Sequence, residues 1–315
     1  MSVRSPAVAG HFYPASDRAC RSEIEACLAA ADRVPTRPDV DSDAAALRSA
    51  VAAGTQCLFG GIVPHAGWMC SGAVAGEVLR ELCRPDVETV VVFGAAHRLA
   101  GRKAAVFAEG GWSTPLGEIA IDEELASAVL SASQDVEPDS RAHQPEHSIE
   151  VQVPFVQYLT PSARLLPILV PHTVPASVVG RTVAEQARRM GRRTVFVGST
   201  DLTHYGPRYD YTPKGVGPAG LAWAKDVNDR AIIDLIRRME ADQIAPEARR
   251  HQNACGAGAV AATVAACRST GALRGVLLRH TTSGEVLRDR YGDMDDAVGY
   301  AGVVFAGPPE SMGEH

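Results

Sequence analysis

The chain has 315 residues, 46% of them hydrophobic and 22% charged, a globular composition that excludes intrinsic disorder and fibrous repeats. Its formal charge of −6, with scattered arginines and only three lysines (Lys103, Lys214, Lys225), excludes the basic stripe of a nucleic-acid binder. The longest apolar stretch, Ala254 to Cys267, is too short to span a bilayer, the N-terminus lacks the apolar run of a signal peptide, and seven cysteines without a CxxC pair argue against a disulfide framework or zinc ribbon. The expectation is a cytoplasmic protein with reduced thiols and no membrane or nucleic-acid partner.

In chain order, Asp17 to Ala31 is predicted helical with Ser16 as N-cap, and Val34 to Asp43, with two prolines, is predicted to be a loop. Leu58 to Val63 reads as a strand followed by a helix over Ala73 to Leu82, and Thr89 to Gly94 as a wholly apolar strand. A helix over Ile149 to Leu159 precedes a strand over Leu165 to Val170, where Pro167 predicts an edge position or a strand end. Ala176 to Met190 is helical, Thr194 to Gly198 a strand, and Tyr205 to Gly220 a Gly- and Pro-rich loop. Helices over Leu221 to Glu240 and Gly256 to Ser269 are followed by strands over Arg274 to His280 and Tyr300 to Phe305, and by a fraying tail over Gly307 to His315. Alternation of apolar runs with helical patterns, without repeat or linker, predicts an α/β fold: a single domain over 1–315 with a mostly parallel central sheet flanked by helices.

Three strands run straight into polar residues: Pro64-His65-Ala-Gly-Trp68, Gly94-Ala-Ala-His97 and Ser199-Thr-Asp201-Leu-Thr-His204-Tyr-Gly206. Ligands in open α/β sheets sit beyond the carboxyl ends of the strands, so His65, His97, Asp201 and His204 are expected on one rim. Histidine is the commonest metal ligand, and the small residues around these positions leave room close to the backbone. His172, which also follows a strand, fits the same geometric argument.

Asn253-Ala-Cys255-Gly-Ala-Gly258 opens the Ala-rich helix, where the helix dipole favours a thiolate able to act as nucleophile or metal ligand. A small buried Cys at a tight helix start is the competing account, and spacing does not separate the two. In His143-Gln-Pro-Glu146-His147-Ser-Ile-Glu150, the acidic residues are placed in a helix's first turn, and His147 is a candidate proton shuttle or orienter of a ligating imidazole. Trp68, Trp112 and Tyr205 are candidates for pocket walls or for core packing.

Eight segments in order, His11-Phe-Tyr-Pro14, Pro64-His-Ala-Gly-Trp68, Gly94-Ala-Ala-His97, Thr114-Pro-Leu-Gly-Glu118, Glu146-His-Ser-Ile-Glu150, Ser199-Thr-Asp-Leu-Thr-His-Tyr-Gly206, Asn253-Ala-Cys-Gly256 and Val298-Gly-Tyr-Ala-Gly302, resemble the Memo family, whose prokaryotic members are called AmmeMemoRadiSam system protein B. The resemblance runs from about residue 6 to 305. It implies a fold similar to class III extradiol dioxygenases (LigB-like), which hold non-haem iron by two histidines and a glutamate. By motif it implies a metal site of His65, His97 and Cys255, with Asp201, His204 and His147 lining the pocket, while His172 matches no family motif. Arg98 stands where some members carry a further His. Thiolate in place of carboxylate shifts preference toward sulfur-ligated iron, copper or zinc and puts extradiol ring cleavage in doubt. The resemblance further implies a pathway link to a radical-SAM enzyme and an AMMECR-like protein.

Three functions follow in order of preference. The first is a metal-dependent, dioxygenase-like oxidoreductase with one transition-metal ion (iron, or else copper or zinc) on His65, His97 and Cys255, His204 as acid or base, and Asp201 orienting it. The second is a metal-free enzyme with Cys255 as nucleophile and His65 or His204 as base. The third is a non-enzymatic module that binds a peptide or partner protein, with Arg98, Arg102 and Lys103 receiving an anionic group.

Overall fold

The computed structural model describes residues 3–31, 38–98 and 101–309. In chain order its elements are β1 (Val3–Arg4), α1 (Asp17–Ala31), α2 (Pro38–Ala52), β2 (Cys57–Val63), α3 (Trp68–Leu82), β3 (Thr89–Gly94), β4 (Ala104–Val106), β5 (Gly111–Thr114) and β6 (Gly117–Ala120). There follow α4 (Glu123–Ala132), β7 (Val136–Pro138), α5 (Ser140–His143), α6 (Val153–Leu159), β8 (Arg164–Leu169), α7 (Ala176–Arg189), β9 (Thr194–Ser199) and β10 (His204–Tyr205). The chain continues with α8 (Pro218–Trp223), a π-helical turn (Ala224–Asp229), α9 (Arg230–Arg237), α10 (Ala241–His251), α11 (Ala257–Ser269), β11 (Arg274–Thr282), α12 (Ser283–Tyr291) and β12 (Ala297–Gly307).

The main sheet runs β10-β12-β2-β9-β3-β8-β4-β7, with β11 also paired to β12. Its centre, β2, β9, β3 and β8, is parallel, as the apolar runs predict, while β12 adds antiparallel to β2. A small second sheet joins β1, β5 and β6. Side chains alternate between two cores: Val91 and Phe93 of β3 pack with α4, α7, α9, α10 and α11, and Val90 and Val92 with α1, α3 and α6. Because the four central strands are parallel, Val63, Gly94, Leu169 and Ser199 end on one rim. No described helix is long and apolar enough to cross a membrane.

Several expectations are corrected. Pro167 lies inside β8, which is bordered by β3 and β4 rather than at an edge. Its carbonyl accepts from Phe107 N just past the end of β4, so the missing N–H faces the place where that short strand stops. The loop expected over 34–43 is helix from Pro38 onward, with proline in the first turn, and residues 34–37 lie outside the described residues. Helix α3 starts at Trp68, five residues before the expected start, and Trp68 N donates to Phe12 O. The expected helix over Leu221 to Glu240 is three segments, α8, the π-turn and α9. The expected tail starts too early, since β12 runs through Gly307, and residues 310–315 lie outside the described residues.

Candidate metal centre

His65 follows β2, His97 follows β3, and Cys255 sits just before α11, whose N-cap is Gly256. Separated by 190 positions, Cys255 Sγ and His65 Nε2 lie 3.2 Å apart. One ligand atom from each of His65, His97 and Cys255 falls within 4.8 Å of the other two. His65 is buried, while His97 and Cys255 are open to solvent, so the group has a floor and an accessible side.

Hydrogen bonds fix which imidazole nitrogens are free. Ser199 Oγ donates to Ser148 O at 2.6 Å, so toward His65 Nδ1 at 3.0 Å it can only accept, which puts the ring proton on Nδ1 and a lone pair on Nε2. His97 Nδ1 lies 3.1 Å from Glu146 Oε1, a carboxylate acceptor, so its Nε2 is likewise left for a ligand. Glu146 also accepts from the backbone N–H groups of His97, His147 and Ser148, so its oxygens are committed to holding the loop. The second compact group, His97, Glu146 and His147, is therefore support for the first.

The charges follow from these contacts. Burial, aided by the neighbouring imidazoles, lowers the His65 pKa and keeps that ring neutral. Although burial opposes charging, the hydrogen bonds its ring gives to Cys255 and Glu146 push His97 up to about 10. Glu146, despite burial, is held well below the carboxylate range by His97. Burial raises a thiol, but His65 and His97 bring Cys255 down to about 6. Without metal the centre is thus a thiolate beside an imidazolium. Cys255 immediately precedes the Gly256 cap of α11, and its Sγ accepts from the Asp201 amide at 3.3 Å.

The other predicted residues take varied places. Asp201 is buried; its Oδ1 accepts from His65 N at 2.7 Å and its carbonyl from Cys255 N at 3.2 Å, so it ties two ligand-bearing loops together. It does not orient His204, whose Nδ1 faces the Leu202 carbonyl at 3.1 Å. His204 meets Tyr209 edge-on at 5.1 Å between ring centroids. His147 stacks on His97 at 5.2 Å and meets His65 edge-on at 5.5 Å. His172 is exposed in a turn.

Glu150 is not in the first turn of α6, which starts at Val153 with Pro154 setting its beginning. Its buried carboxylate pairs with Arg4 at 2.7 Å and accepts from Ala7 N, Val8 N and Tyr13 OH, pinning the N-terminal segment. That segment brings Phe12 edge-on to His147 at 4.9 Å. Trp68 and Trp112 are core residues, the latter beneath Arg4 at 4.2 Å. Tyr205 is buried as well, its hydroxyl donating to Gly215 O. Ser199 opens one of the strand-end segments, whereas Gln152, whose amide donates to Pro64 O, carries no sequence signal of its own.

These observations define a mixed α/β protein with a His-His-Cys group at the carboxyl rim of a mainly parallel sheet. The Memo-like protein family model matches residues 4–304. A MEMO1 family protein of Methanopyrus kandleri is 37% identical over 96% of this chain and 98% of its own length. Another, of Methanothermobacter thermautotrophicus, is 36% identical over 95% and 99%. An uncharacterized Escherichia coli K12 protein of known crystal structure aligns over 70% of this chain and 86% of its own at a TM-score of 0.44 and 12% identity. The chain belongs to the Memo family.

Proposed function

We propose that this chain is a metal-dependent oxidoreductase of the dioxygenase-like kind, in which His65, His97 and Cys255 hold one transition-metal ion, iron in the first place and copper or zinc otherwise. The observation that carries the reading is the convergence of two imidazole nitrogens and one sulfur, each aimed by a separate support: Ser199, Glu146 and the Asp201 backbone. Ligands bonded at ~2.0–2.3 Å to one tetrahedral ion sit about 3.5 Å apart, close to the 3.2 Å between Cys255 Sγ and His65 Nε2. A soft thiolate with two imidazoles suits zinc, copper and iron and discriminates against magnesium or calcium.

Three protein donors leave a coordination position open, and an ion bound there supplies Lewis-acid or electron-transfer chemistry to a substrate. The chain's own residues would do the rest. His204, with Nδ1 committed to Leu202 O, presents Nε2 for proton transfer, and His147 offers a second imidazole on the accessible side. Asp201 keeps the His65 and Cys255 loops in register. Arg98, exposed at the rim, supplies positive charge toward an incoming small molecule or peptide.

Element analysis of the purified protein tests the reading: about one equivalent of iron, copper or zinc in the wild type, lost in Cys255→Ala, is the expected result. No metal bound or taken up by the wild type overturns it. The thiolate–imidazole contact itself favours a second reading, Cys255 as nucleophile with His65 as base. That reading predicts rapid carbamidomethylation of Cys255 at the same rate with and without chelator, whereas a resident metal predicts protection that chelation removes.

A further inference from the structure

Cys255 is the ligand in greatest need of support, since it is solvent-open and lies in the short link between α10 and α11. Its neighbour in space, Asp201, also lies in a loop, between β9 and β10. Both loops meet at the π-helical turn Ala224–Asp229. A π-turn carries an additional residue per turn, and such insertions recur at functional sites. Here the widened turn buries two successive polar residues, Asn228 and Asp229, while Asp226 and Val227 face solvent.

Asn228 Nδ2 donates to Thr203 Oγ1 at 3.0 Å and to His251 O at 2.9 Å, so one amide reaches the β9–β10 loop and the end of α10 together. Asn253 Nδ2, two residues before Cys255, donates to Asn228 O at 2.9 Å. Asp229 Oδ1 accepts from Thr203 N at 2.9 Å, and its Oδ2 lies 3.1 Å from His280 Nε2. A Cβ at Gly299 would fall 2.0 Å from Asp229 Oδ2, so the strand beside the clasp has room for glycine only. The contact between the two loops, Cys255 N to Asp201 O and Asp201 N to Cys255 Sγ, is thus bracketed on both sides by hydrogen bonds from this one turn.

We infer that Asn228 is a positioning residue of the metal centre, and that the π-turn exists to hold the Asp201 and Cys255 loops at a fixed separation. The inference rests on the metal reading above. Asn228 touches neither the ligand atoms nor an incoming molecule; it acts through Thr203 on one side and through His251 and Asn253 on the other. Metal ligands lose affinity when their spacing drifts by about half an ångström, so removing this brace acts on the metal before it acts on the fold.

The test is cobalt(II) titration of the full chain after chelation and buffer exchange, following affinity and the near-ultraviolet thiolate-to-cobalt band. Asn228→Ala is expected to weaken cobalt binding by about tenfold or more and to diminish the band. Val227→Ala, on the solvent side of the same turn, is expected to bind as the wild type does, which separates the clasp from a general loosening of the turn. Asn228→Asp, nearly the same shape but with a carboxylate against the His251 carbonyl, should show the same loss and stands in if the alanine variant does not fold.

Wild-type affinity and band in the Asn228 variants, or an equal loss in Val227→Ala, would overturn the inference. If the wild type itself binds no cobalt, the metal reading fails instead. The clasp is then judged on carbamidomethylation of Cys255 at neutral pH, expected to be slower in Asn228→Ala than in wild type and Val227→Ala, and refuted by equal rates.

Discussion

Glu146 is the residue on which the His97 arm depends, since one carboxylate accepts both N–H groups of His97 and two further backbone N–H groups from its own loop. Replacing it by Gln keeps the shape, exchanges one acceptor for a donor and removes the negative charge. Loss of a carboxylate partner to a ligating histidine costs about 10–100-fold in metal affinity. Zinc titration of Glu146→Gln should show that loss, and metal-free His97 should titrate below the value near 10 that the wild type sets. Unchanged zinc affinity would remove Glu146 from the centre. Which nitrogen carries the proton could not be foreseen from the chain, because it depends on Ser199 giving its own hydrogen to Ser148 O.

At the scale of elements, what was legible and what was not divides by where the signal lies. The apolar runs of β2, β3 and β9 each end in a polar residue at the rim, and that local pattern located His65, His97 and Asp201. Helices α10 and α12 escaped because α10 carries Pro246 in its interior and α12 has no buried residue. The Thr282–Glu285 capping box was the available sign for α12. The π-turn has no sequence signature, since its extra residue is required by the loops it meets.

Close packing of elements gives a direct prediction. Helix α7 lies against α11 so tightly that a Cβ at Gly180 would stand 2.0 Å from Ala262 O. Alanine at an exposed helix interior stabilises by about 1 kcal/mol over glycine, but overpacking costs ~1–3 kcal/mol or more where backbone must move. The clash wins, so Gly180→Ala should unfold at a lower urea concentration than wild type; an unchanged or higher midpoint would show that the two helices separate freely.

For the whole molecule, acid sensitivity has an identifiable source in His143. It is fully buried, its Nε2 lies 3.1 Å from Ala105 O, and burial lowers its pKa to about 3 from the ordinary 6.5. The unfolded chain therefore binds one more proton than the folded chain between these two values. The stability this neutral ring provides is complete above pH 6.5 and declines as pH falls toward 3, by about 1.4 kcal/mol per pH unit. His143→Gln keeps a donor for Ala105 O but cannot titrate, so its urea midpoint should fall less between pH 7 and pH 4 than that of the wild type. An equal fall would place the acid sensitivity elsewhere.

The fold brings strand ends from across the sheet and one loop thiol to a common point, and whether that point is a metal centre is decided by the bonds made there. X-ray absorption at the zinc edge of the loaded protein reads those bonds. The account predicts one sulfur at ~2.3 Å and two imidazole nitrogens at ~2.0–2.1 Å, with the sulfur shell gone in Cys255→Ala. A zinc environment of nitrogen and oxygen alone, identical in wild type and variant, would contradict it.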